Sequence, residues 1–80
     1  MPTVRFFAGA RAAANGVSTE AVPASTLDDL VQALTDRYGE RLAVVLKAAT
    51  FLVDGMTCHD RGARVPADAT VDVLPPFAGG

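Results

Sequence analysis

At 80 residues, half of them hydrophobic and a fifth charged, the chain suits one small folded domain rather than a disordered segment. A net charge of −2, a pI near 5.0 and basic residues scattered singly argue against a nucleic-acid partner. Cys58 is the single cysteine, which excludes the intrachain disulfide framework of a small secreted domain.

The N-terminus, Met-Pro-Thr-Val-Arg, lacks the basic start and long apolar run of a signal peptide. Val4-Arg5-Phe6-Phe7 is rich in β-formers and predicts a first strand, broken by Gly9. Ala10 to Ala14 predicts a short helical turn before Asn15-Gly16, a strong turn dipeptide. With that turn before it, Val17 to Val22 predicts a second strand hairpinned to the first and ended by Pro23.

Thr26 is placed to cap a helix, with Asp28 and Asp29 in the first turn, where carboxylates favour the helix dipole. Leu27, Leu30, Val31, Leu34 and Tyr38 fall on one stripe of that helix, and Gly39 stands where a left-handed C-terminal cap is expected. Glu40 to Ala48 predicts a short second helix or irregular turn. The nearly apolar stretch from Leu42 to Val53 is broken by Lys47 and Thr50 and is too short to cross a bilayer, so a soluble, cytoplasmic protein with no membrane partner is expected. Thr50 to Val53 predicts a strand, Asp54-Gly55 a hairpin turn and Met56 to His59 a short return strand. Arg61 to Asp68 reads as polar loop, with Pro66 barring a central strand, and Thr70 to Leu74 as the last strand.

A hairpin, a crossover helix and further strands make an α+β layering: a β-grasp, or ubiquitin-like, mixed sheet of four or five strands under one main helix. The usual form of that fold pairs the first and last strands in parallel at the sheet centre. Residues 1–74 are then the domain and 75–80 an extended tail. Alternation assigns Val4, Phe6, Val71 and Val73 to the helix side, and Arg5, Phe7, Asp72 and Leu74 to the uncovered face. Phe7 and Leu74 would form an apolar patch at the root of the tail, together with Phe77. The Gly9–Ala14 segment is the element that could cover Phe7 instead.

The tail is the most informative segment. Pro75 and Pro76 stiffen its base and bar strand or helix from continuing. Phe77 and Ala78 follow, and Gly79 and Gly80 lack β-carbons, so a partner can close around the backbone down to the terminal carboxylate. A frayed terminus is the bland reading of the same residues. Other candidates have simpler explanations. Cys58 and His59 fall short of a zinc ligand set, so no metal is expected, and Asp28 and Asp29 serve the helix dipole. Gly9 to Gly16 lacks the pattern of a phosphate loop.

Val4-Arg5-Phe6-Phe7-Ala8 with Arg11 shortly after, the Thr26-Leu27 helix start, and the ending Thr70-Val71-Asp72-Val73-Leu74-Pro75-Pro76-Phe77-Ala78-Gly79-Gly80 carry a resemblance across essentially the whole chain. It resembles the small subunit of molybdopterin synthase and its sulfur-carrier relatives, including the thiamin-pathway carrier. The Pro-Pro-x-x-Gly-Gly ending is that of the molybdopterin branch; Phe77 departs from the valine more often found there. The resemblance implies that an E1-like adenylyltransferase uses Mg-ATP to adenylate Gly80. A cysteine desulfurase or rhodanese-type donor then supplies the sulfur that makes a thiocarboxylate. The tail, Pro75 to Gly79, enters the large subunit, which transfers the sulfur to a pterin precursor. It further implies Arg11 as an interface contact, no cofactor bound by the chain, and catalytic side chains supplied by the partners. Rival readings are the same chemistry in cysteine, thiamin or thio-natural-product synthesis, a ubiquitin-like protein modifier, and a β-grasp module that binds through its sheet face alone.

Overall fold

The computed structural model describes residues 1–76, which run β1 (Thr3–Phe6), α1 (Gly9–Ala13), β2 (Thr19–Ala21), α2 (Leu27–Tyr38), α3 (Glu40–Ala48), β3 (Thr50–Val53), β4 (Met56–Cys58) and β5 (Thr70–Leu74). The strands form one mixed sheet in the order β2-β1-β5-β3-β4. β1 and β5 pair in parallel at its centre, with Val4 opposite Val71 and Phe6 opposite Val73. Every other pairing is antiparallel. This is the expected β-grasp layering.

The alternation in the central strands decides which face is covered. Val4, Phe6, Val71 and Val73 are fully buried against Leu27, Leu30 and Leu34 of α2 and Leu42 and Leu46 of α3. Burying these large side chains is the main stabilising term, on the order of 1.5–3 kcal/mol each. The Phe6 ring meets Tyr38 edge-on at 6.0 Å, which ties the end of α2 to β1. On the same side, Glu20 of the β2 edge strand accepts hydrogen bonds from Arg37 and Tyr38 of α2.

The first N–H groups of α2 have no partner within the helix, and each finds one outside. Asp29 donates to Thr26 Oγ1 at 3.1 Å, as the cap predicts. Leu27 donates to the Ala63 carbonyl at 3.0 Å and Asp28 to that of Arg61 at 2.7 Å. The polar loop of residues 61–68 is thus fastened to the helix start, and Val65 within it is buried. Arg61 also donates to the Leu46 carbonyl at 3.0 Å, closing the C-terminus of α3, and lies over the Phe51 ring.

Three details differ from the sequence reading. Asn15 and Gly16 do have positive φ, but they end α1 instead of making a two-residue hairpin. The Gly16 N–H reaches back to the Arg11 carbonyl at 2.8 Å, so β1 and β2 are joined through a helix, and β2 shortens to Thr19–Ala21. Gly39 has φ 80 and ψ −161, which is not the left-handed cap. It ends α2 and starts α3 in one residue: its N–H donates to Thr35 and its carbonyl accepts from Ala43. The Asp54-Gly55 turn is as expected, with positive φ at both residues, and Asp54 additionally accepts the Thr70 N–H on its side chain. No helix among the described residues is long and apolar enough to cross a membrane.

Candidate docking site at the root of the tail

β5 runs without interruption into Pro75 and Pro76, so the site begins where the sheet ends. Phe77, Ala78, Gly79 and Gly80 lie outside the described residues. Phe7 directly follows β1, and its N–H donates to the Val73 carbonyl at 3.3 Å, which extends the parallel ladder by one position. Phe7 and Leu74 therefore stand next to each other at the end of the two central strands. Both are half-buried on the uncovered face. Of the α1 segment, Ala10, Ala13 and Ala14 pack on the helix side, into the core that holds Val4 and Phe6.

Two residues back along the same strands, next to these apolar groups, lies an ion pair that the alternation alone does not suggest. Arg5 faces outward from β1 directly opposite Asp72 of β5, and donates to it from Nε at 2.6 Å and from Nη2 at 2.8 Å. The Asp72 residue is only 7% exposed, although it faces away from the helices, because Arg5 lies across it. The Asp72 hydrogen bond and charge raise the Arg5 pKa further above its ordinary value, so Arg5 is a permanent cation here. The guanidinium also lies over the Phe7 ring, 5.6 Å from its centre.

Leu52 belongs to the same face. It pairs with Asp72 in register, while Thr50 pairs with Leu74, so Leu52 extends the apolar surface across β3. The signal for it was present: once Phe51 is buried, the next residue must point out. Arg11, on α1, is exposed and its Nε donates to the Phe6 carbonyl at 3.3 Å, which holds it beside the backbone that carries Phe7. Phe7, Arg11 and Leu74 are thus gathered at one end of the molecule, around the exit of the tail.

On the helix side of that exit is an open apolar groove of about 530 Å³. Val44, Val45 and Ala48 of α3 line it together with Ala8, Gly9, Pro75 and Pro76. Cys58 and His59 are far from any ligand set: among the described residues, no group of three or more His, Cys, Asp or Glu side chains could hold a metal ion. Chemically, the described surface at this end offers apolar side chains and fixed charges.

Comparison with known proteins agrees with this geometry. No curated protein matches the sequence significantly. Among solved structures, the chain is similar to Mycobacterium tuberculosis CysO, described as an antigen, with a TM-score of 0.80 and 14% identity over 94% of this chain and 98% of that one. It is similar to a putative molybdopterin converting factor, subunit 1, from Pyrococcus furiosus, with a TM-score of 0.76 and 20% identity over 94% and 95% of the two chains. It is also similar to a chain in the Helicobacter pylori complex of subunits 1 and 2 of molybdopterin-converting factor, with a TM-score of 0.72 and 20% identity over 99% and 97%. The sequence matches the ThiS family over residues 4–80. A β-grasp domain whose central strand leads into the tail, matched to that family through its last residue, belongs to the ThiS family of ubiquitin-like sulfur carriers.

Proposed function

We propose that this chain is the small, sulfur-carrying subunit of a molybdopterin synthase, working in the cytoplasm. The observation that carries the reading is the family match through Gly80, joined to a central strand that leads straight into the proline pair at the tail's base. The Pro75-Pro76 ending and the likeness to molybdopterin-converting factor chains support this branch.

The chemistry is carried by Gly80. Its carboxylate is a poor acyl donor. An E1-like adenylyltransferase, using Mg-ATP, joins it to AMP and releases pyrophosphate. The outer sulfur of a persulfide on a desulfurase or rhodanese-type donor then attacks the acyl carbon and AMP leaves. A thiol next cleaves the acyl disulfide so formed, ending as a disulfide with the donor cysteine, and the thiocarboxylate remains. Pro75 to Gly79 deliver that group into the large subunit, and glycine lets the acyl carbon pass into a narrow pocket from which water is excluded. Phe7, Leu74 and Arg11 hold the domain against its partner. Intact-mass analysis of the protein from its own host tests the reading. The mature chain should be heavier by the difference between sulfur and oxygen. Its absence, even with adenylating enzyme, Mg-ATP and sulfur donor supplied, overturns the carrier role.

The likeness to CysO favours a second reading in which the same thiocarboxylate serves another acceptor. Purified thiocarboxylate offered to the host's molybdopterin synthase large subunit separates the two: sulfur transfer supports the first, and none supports the second.

A further inference from the structure

We propose that the groove between α3 and the proline pair is a second docking surface, filled by the rim of the adenylating enzyme that receives the tail. The inference rests on Gly80 being the reacting group. Adenylation comes before any choice of acceptor, so this partner is required whichever pathway takes the sulfur.

Chain length forces the contact. Four residues follow Pro76, and a fully extended chain advances at most about 3.3–3.6 Å per residue, so Gly80 reaches no farther than about 14 Å from Pro76. An acyl adenylate survives only where water is excluded, so the carboxylate must sit inside a closed pocket. The mouth of that pocket must therefore come up to the proline pair itself. Two surfaces flank those prolines. One is the Phe7–Leu74 side of the sheet, and the other is the groove, which Pro75 and Pro76 line in part. An enzyme enclosing the tail meets both.

The groove has the chemistry of a docking site. Its walls are apolar, and Val44 at its lip is 58% exposed, one of few large hydrophobic side chains left so open among the described residues. Arg41 and Lys47 lie three residues before and after Val44, on the same exposed face of α3, with Glu40 one turn back. The face around Val44 is thus net positive on a chain whose overall charge is −2. The rim that fits is an apolar side chain seated beside Val44, with carboxylates placed to meet Arg41 and Lys47. Burial of the apolar group supplies affinity, and the charges supply orientation and encounter rate.

The test uses the host's adenylating enzyme with the full chain and reads KM and kcat for Gly80 adenylation. Val44→Glu should raise KM roughly ten-fold or more with kcat nearly unchanged, because it removes docking and leaves the reacting group intact. Arg41→Glu with Lys47→Glu should also raise KM, and the defect should shrink as salt is added. Met56→Glu, at an exposed methionine in β4, should behave like the wild type. Circular dichroism confirms that each variant is folded; should Val44→Glu not fold, the charge-reversal pair decides. A KM within about two-fold of the wild type for the folded variants overturns the groove and leaves the carrier role standing. A wild-type chain that is never adenylated overturns both.

Discussion

Arg5, Phe7 and Asp72 act as one unit on the outward face. The carboxylate holds Nε and Nη2, and the held guanidinium lies over the Phe7 ring, so the ring's position is fixed from the strand beside it. Arg5 is half exposed, so the pair adds little to stability and more to the shape of the surface. Because its pKa is raised, any stability linked to its proton is present below its unfolded pKa. That stability is lost only as pH rises through the higher folded value, well above the neutral range. Phe7 and Leu74 are only half-buried and pack outside the core, so changing them should affect docking and spare the fold. Phe7→Glu and Leu74→Glu should each weaken large-subunit binding about ten-fold or more, with a loss of stability below about 1 kcal/mol. Titration calorimetry and urea melts measure the two effects. A variant that unfolds would place its side chain in the core and overturn the assignment of the face.

The helices show which parts of an element are written locally. α2 was legible end to end because its determinants are close in sequence: Thr26 at the start, leucines at helical spacing, and glycine at the end. The way it ends was not. Gly39 takes ψ −161 because α3 begins at once, and the geometry of that junction depends on where Leu42 and Leu46 must pack. Similarly, Asn15-Gly16 predicts a hairpin turn, since positive φ suits both residues, yet the same φ values close α1. A turn dipeptide encodes a backbone conformation and leaves its use to the tertiary context. At Gly39, space does not limit a side chain, since an added Cβ would meet nothing within 4 Å. Backbone conformation does, because φ 80 with ψ −161 is a region that residues with a β-carbon avoid. Gly39→Ala should therefore cost about 1–3 kcal/mol in chemical denaturation. A cost near zero would mean that the junction readily adopts another conformation.

At the scale of the molecule, the order of elements and the alternation in β1 and β5 sufficed to infer the sheet, because central strands covered on one face leave few other arrangements. The Arg5–Asp72 pair was not legible: 67 positions separate the two residues, and only the parallel register brings them together. The groove is not legible in the sequence for the same reason, since α3 and the proline pair meet only in the folded chain. Among the described residues, the core is complete by Val73 and the last strand ends at Leu74. Domain and tail should therefore be separable, with residues 1–74 providing the handle and 75–80 the reagent. A chain lacking residues 77–80 should melt within about 2 °C of the full protein, since a stability change of a few tenths of a kcal/mol moves a domain of this size by no more than that. It should accept no sulfur, yet still inhibit adenylation of the full chain by competing for the docking surfaces around Phe7 and Val44. Retention of full biological activity would instead identify a binding module that needs no terminal carboxylate. Loss of folding would extend the domain past Leu74, and failure to compete would mean that the tail alone supplies the affinity.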